Sequence, residues 1–77
     1  MANTYTVNGA SIEEAFTFHA PTENQIVRYQ KLRDKAKEMA YLIGQVCPDG
    51  RPKSLAITKL EEAIMWANKA IAHEVTE

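Results

Sequence analysis

The chain has 77 residues, 45% of them hydrophobic, with ten acids against nine lysines and arginines for a formal charge of −1, and a single cysteine. So short a chain forms one small domain that buries little surface, and such domains gain stability from disulfides, a metal or oligomerisation. Cys47 alone excludes an internal disulfide framework and suits a reducing compartment, His19, His73 and Cys47 show no metal-ligand spacing, and the near-neutral charge argues against a binder of nucleic-acid duplex. Oligomerisation is the route left. Met1 to Thr6 holds neither a basic segment nor an apolar run, so no signal peptide is expected there. No apolar stretch approaches membrane-spanning length. The expectation is a soluble intracellular protein with no membrane partner.

Residues 1–20 form an N-terminal appendage with weak periodicity around the turn signal Asn8-Gly9. Ser11, with Glu14 three residues on, suits the cap of one short helical turn. The hairpin domain, residues 21–77, opens on Pro21-Thr22-Glu23-Asn24-Gln25. Thr22 and Gln25 have the spacing of a capping box, in which each side chain satisfies the other's backbone amide. Tyr29, Leu32, Ala36, Met39, Ile43 and Val46 then recur at steps of three and four, which predicts a helix to about Gln45 or Val46. Cys47-Pro48-Asp49-Gly50 ends it, since a proline disfavours helical geometry in the residue before it and glycine permits a sharp turn. Asp49 is placed to cap the next helix, with Pro52 in its first turn.

The last helix carries three stripes. Ile57, Leu60, Ile64, Ala67 and Ile71 form an apolar seam. Thr58, Glu61, Met65, Asn68 and Ala72 form a mixed one, and Lys59, Glu62, Trp66, Lys69 and His73 a third. Two helices joined by so short a turn lie antiparallel. The fold class is therefore all-α, an antiparallel two-helix hairpin with a short N-terminal segment or helix. Two helices cover one face of each other, so Tyr29, Tyr41, Met65 and Trp66 call for cover from another subunit. A homo-oligomer follows, with Tyr29, Met65, Trp66 and Lys69 as interface candidates.

Catalysis finds little support. A nucleophile needs a base in reach and a third group to orient it, while Cys47 sits against a proline at a helix end. Glu61 and Glu62 point about 100° apart on a helix, and Glu62 suits an ion pair with Lys59 or Lys69. No glycine-rich phosphate loop is present, and no cofactor is called for. Binding an anionic ligand is better supported. Phe16, Phe18 and His19 precede the capped helix, and Arg28, Lys31 and Arg33 follow on it. Arg51, Lys53 and Ser54 stand at the start of the last helix, where free amides point outward. Basic groups beside flat side chains are what a nucleotide-like ligand requires. Two plainer readings stay open: a solvated basic face, and Phe16 and Phe18 as a staple holding the appendage on the hairpin.

Several ordered blocks carry a family resemblance: Phe16-Thr17-Phe18-His19-Ala20-Pro21, Gln25-Ile26-Val27-Arg28-Tyr29 with Leu32-Arg33, Cys47-Pro48, Ser54 through Ala63, and Met65-Trp66-Ala67-Asn68. Together they resemble the phage hairpin family of anti-CBASS sponge proteins, a related hairpin of which occurs in an anti-Thoeris sponge. The resemblance runs from about Phe16 to Ile71. It implies a non-enzymatic phage protein acting in the cytoplasm of the infected bacterium. Such proteins assemble as homo-oligomers, typically hexamers, and trap the cyclic oligonucleotide messengers of bacterial immunity before an effector responds. By resemblance, a cyclic dinucleotide such as cGAMP lies between protomers, with Phe18, His19, Arg28, Lys31 and Arg33 as the groups able to stack on bases or meet phosphates. Arg51, Ser54 and Thr58 are candidates for a second pocket, of the kind that takes cyclic trinucleotides. The sequence departs from the family pattern at Asp49-Gly50-Arg51-Pro52, where Ser-Arg-Glu is common, and at His73, where arginine is common. His73 would supply that positive charge only when protonated. Two rivals stand beside this reading: a sponge for cyclic ADP-ribose isomers, and a structural or adaptor protein docking a partner through the Trp66 face. For Trp66 itself, subunit contact competes with base stacking.

Overall fold

The computed structural model describes residues 9–18 and 20–74. They form three helices and no strand: α1 Gly9–Phe16, α2 Glu23–Val46 and α3 Arg51–Ala72. The turn expected at Asn8-Gly9 lies partly outside the described residues, and Gly9 is the first residue of α1. Because α1 starts two residues before Ser11, that serine lies inside the helix. A capping residue must stand outside it with non-helical backbone angles, so Ser11 is not the cap.

The start of α2 is the predicted capping box. Thr22 is extended at φ −79° and ψ 166°. The Gln25 amide donates to Thr22 Oγ1 at 3.1 Å, and the Thr22 amide donates to Gln25 Oε1 at 2.9 Å. The helix stops at Val46 because Cys47, ahead of Pro48, is extended at φ −103° and ψ 135°. Its amide still donates to the Ile43 carbonyl, 3.1 Å away, closing the last turn.

The turn differs from expectation in one respect. Gly50, not Asp49, is the N-cap of α3, and no side chain caps that end. Gly50 has φ +150°, a conformation that L side chains rarely adopt. The Asp49 carboxylate turns instead to Lys53, whose Nζ donates to Asp49 Oδ1 at 2.8 Å and to the Gly44 carbonyl at 3.0 Å. Lys53 thus ties the last turn of α2 to the first turn of α3.

α2 and α3 pack on each other as a hairpin, and α1 packs against neither. Along α3 the apolar seam falls as the sequence predicts, with Ile57, Leu60, Ile64, Ala67 and Ile71 all half-buried. Along α2 the seam slips by one residue in its second half. Ala40 and Cys47 are half-buried, while Met39 and Val46 are exposed. Steps of four at Ala36–Ala40 and Ile43–Cys47 carry the stripe further round the helix than steps of three would.

The hairpin has no fully buried hydrophobic residue among those described. The chain, with α1 standing off the hairpin, has a radius of gyration of 16.0 Å, against about 11.5 Å for a compact chain of this length. One helix pair has no third layer to enclose its seam. Apolar side chains therefore remain on both flanks, including Ile26, Leu42 and Leu55 beside those already named.

Candidate functional site

The free end of the hairpin, where α2 begins and α3 ends, is organised by Gln25. It is the one buried residue among those described, at 8% exposure. Beyond its capping role, Gln25 Nε2 donates to the Ile71 carbonyl at 2.9 Å and to Glu74 Oε1 at 3.2 Å. One side chain thereby caps α2 and secures the last turn of α3 to it.

Arg28 sits one turn further along. Its Nη1 donates to Glu74 Oε2 at 3.1 Å, and its Nη2 pairs with Glu74 Oε1 in the same fork. The hydrogen bond to Arg28 holds the Glu74 carboxyl below its ordinary pKa, assisted by the one from Gln25, and the same pairing raises that of Arg28. Arg28 Nε is buried with no hydrogen-bond partner. The stems of Arg28, Lys31 and Lys35, with Leu32 and Ile71, line an open and almost wholly apolar groove of about 360 Å³. That volume is near the lower end for small-molecule sites.

Arg33 does not join this groove. With Lys37, Ala40, Leu60, Ile64 and Glu61 it lines a second one of about 320 Å³ on the other flank of the hairpin. Its Nη1 donates to Gln30 Oε1 at 3.0 Å. The predicted cations thus divide between two flanks: residues 28, 31 and 35 recur at helical spacing on one, residues 33 and 37 on the other.

The remaining candidates are spread along the hairpin. Arg51 and Ser54 are exposed at the turn end, about 27 Å along α2 from Arg28 at 1.5 Å per residue, and Thr58, also exposed, lies about 10 Å back along α3 from Arg51. His73 is the C-cap of α3, its amide donating to the Lys69 carbonyl at 3.0 Å. It lies roughly 22 Å along α3 from Thr58. Within one chain no single ligand reaches the second-pocket candidates together. Lys53, basic and near Arg51 in sequence, is spent on closing the turn.

The aromatic candidates stand in the open. Phe16 is 86% exposed and Phe18 84%, so neither staples the appendage to the hairpin of its own chain. His19 lies outside the described residues. Trp66 is 55% exposed, with Lys69 Nζ 5.9 Å from its ring centroid, at the limit of a cation–π contact. Met65 is exposed beside it, and Tyr29 is half-buried in the seam. Glu62 pairs with Lys59, at 3.3 Å, as one of the two lysines anticipated.

Sequence reasoning missed Glu74 and the second role of Gln25. The capping spacing singled out Gln25, but nothing near it in sequence points to partners 46 and 49 residues away. Among the described residues, no helix is long and apolar enough to cross a membrane.

An all-helical hairpin with cations on open grooves, and flat side chains left uncovered, has the build of a small binding protein. A family model described as Acb2/Tad1, hairpin domain, matches residues 8–72, and the chain belongs to that family. Membership implies a phage sponge for cyclic nucleotide signals, acting inside host cells by sequestration rather than catalysis. The match takes in α1 as well as the hairpin. No curated protein and no solved structure matches the chain.

Proposed function

We propose that this protein captures cyclic dinucleotides such as cGAMP, intact, as a homohexamer, and so keeps the messenger of the CBASS defence from its effector. The observation that carries the reading is the apolar groove lined by the stems of Arg28, Lys31 and Lys35, three cationic side chains on one flank of α2. Cations at one-turn spacing suit the paired phosphates of a cyclic dinucleotide, and an aromatic ring suits its bases. Phe18, exposed on the approach to α2, is the aromatic proposed for stacking. The groove is open on one side in a single chain, so a second protomer supplies the missing wall. The exposed Met65 and Trp66, with Lys69, are assigned to subunit contact, where tryptophan and methionine are enriched and lysine is commoner at the rim.

A second pocket, for a cyclic trinucleotide, would draw on Arg51, Ser54, Thr58 and His73 from different protomers, because one chain holds them at opposite ends. The mechanism is mass action. Free messenger falls when sites outnumber it and the dissociation constant is about nanomolar or below, near −12 kcal/mol per site.

Native mass spectrometry of the protein incubated with mixed cyclic di- and trinucleotides tests this directly. Whole oligomers carrying unaltered ligand in fixed ratio support it. Bare protein overturns it and favours the adaptor reading, for which the exposed Trp66 face is the specific observation. Lys31→Glu, which reverses a groove charge away from the Arg28–Glu74 pair, is expected to weaken capture roughly tenfold or more if Lys31 meets phosphate. Arg28→Glu is a poorer test, since it would set two carboxylates against each other at Glu74.

A further inference from the structure

We propose that Glu74 is a built-in competitor for the anion that Arg28 takes up, so that a ligand phosphate enters the groove by displacing this carboxylate. The identity of that anion rests on the sponge reading. The competition itself rests on three features of the free end of the hairpin.

The first is geometry. Both terminal nitrogens of Arg28 are engaged by the two oxygens of Glu74. That fork is also how an arginine grips phosphate, so carboxylate and phosphate contend for one face of the guanidinium. The pairing leaves Arg28 Nε buried and without a partner, so the guanidinium is not saturated by its own chain.

The second is that Glu74 can leave cheaply. It lies beyond α3, one residue past the C-cap, with its amide donating to the Ile71 carbonyl at 3.3 Å. Gln25 gives Glu74 one hydrogen bond, but its bond to the Ile71 carbonyl and its capping bonds to Thr22 do not involve that carboxylate. Releasing Glu74 therefore unwinds neither helix and leaves the hairpin tied.

The third is what draws the ligand in. The stems of Lys31 and Lys35 line the same flank as Arg28, and the Lys35 ammonium pairs with Glu38 at 3.6 Å. A polyanion that turns these flexible ends toward it gains Arg28 and Lys31, and Lys35 in exchange with Glu38, whereas Glu74 brings a single carboxylate to Arg28 alone. The pair is forked but partly solvated, with side-chain exposures of 36% and 30%, so water takes up both groups as it opens and the exchange costs less than for a buried pair. Glu74 then sets a threshold: singly charged small anions gain little by displacing it, and ligands with more than one phosphate are favoured.

The test is Glu74→Gln in the full chain, with Arg28→Gln and the double variant beside it. Inorganic pyrophosphate is titrated while the Arg28 Nε–Hε resonance is followed, and cyclic GMP–AMP binding is measured separately by calorimetry. Glu74→Gln should bind pyrophosphate at Arg28 roughly two- to fivefold more tightly than wild type, the range an exposed pair allows, and the gain should vanish when Arg28 is also Gln. Equal or weaker pyrophosphate binding by Glu74→Gln overturns the proposal, as does an Arg28 resonance that pyrophosphate moves in neither protein. Should the pyrophosphate gain appear while neither protein binds cyclic GMP–AMP, the competitor stands and the assignment of that ligand falls. Conversely, tight cyclic GMP–AMP binding unaffected by Glu74→Gln removes the competitor and leaves the sponge.

Discussion

Replacing Gly50 by alanine tests whether the turn that makes the hairpin rests on one residue's backbone freedom. Gly50 is held at φ +150° and ψ 178° as the N-cap of α3, and its carbonyl accepts the Ser54 amide at 3.1 Å. This region of backbone space is essentially confined to glycine, and an L residue forced into it loses about 1–3 kcal/mol. A Cβ built at Gly50 has Pro52 Cδ as its nearest heavy atom, at 3.7 Å, an ordinary contact. The whole effect is therefore conformational. For a domain of this size each kcal/mol lowers the melting temperature by about 4–8 °C. Gly50→Ala should cost at least about 4 °C in a thermal melt followed by circular dichroism, with protein concentration held fixed so that any assembly contributes equally. A chain this short is within reach of chemical synthesis, which supplies the sharper control. D-alanine favours positive φ and restricts the unfolded chain, so it should be neutral or stabilising by up to about 1 kcal/mol. L-alanine within about 0.5 kcal/mol of wild type, or D-alanine as damaging as L-alanine, would refute the reasoning.

Thr22→Ala removes the hydroxyl that accepts the Gln25 amide and should destabilise by about 1 kcal/mol in urea unfolding, as a lost helix cap does; Thr22→Ser should restore most of it. The pH dependence follows from Glu74 and Asp49, whose carboxyls are held below their ordinary values chiefly by hydrogen bonds from Arg28 and Lys53. A folded-state pKa below the unfolded one means that stability is present above the ordinary carboxylate range, about pH 4, and is lost as pH falls through the lowered values. Urea midpoints taken from pH 7 to pH 2 should therefore fall, and Glu74→Gln and Asp49→Asn should each flatten part of the fall; identical profiles for the variants and wild type would show that the pairs do not contribute. Trp66→Ala is expected to lower the oligomer order by analytical ultracentrifugation. A variant that stays assembled but no longer captures ligand would make Trp66 a stacking residue instead.

The sequence by itself determined the two hairpin helices and both ends of α2, while the start of α1 at Gly9 and the Gly50 cap of α3 differed from the expected Ser11 and Asp49. Thr22 and Gln25, three residues apart, specify where α2 starts; Cys47 before Pro48 specifies where it stops; and apolar steps of three and four mark the faces that meet. These signals are local, and a helix needs only local signals because its hydrogen bonds span four residues. Tyr41 and Trp66 were legible as uncovered, since two helices cannot enclose two full circumferences of side chains, but Tyr29, expected beside them, is half-buried in the seam. The slip of the seam from Met39 to Ala40, and from Val46 to Cys47, was not legible, because steps of three and four are both helical and the choice depends on where α3 lies. Only the tertiary structure turned Asp49 toward Lys53 and put Arg33 on the flank opposite Arg28 and Lys31. It alone brought Glu74 to Arg28, 46 residues away. Those outcomes follow from the antiparallel register of two helices, which sets side chains from opposite ends of the chain against each other and leaves no trace in the spacing of either segment.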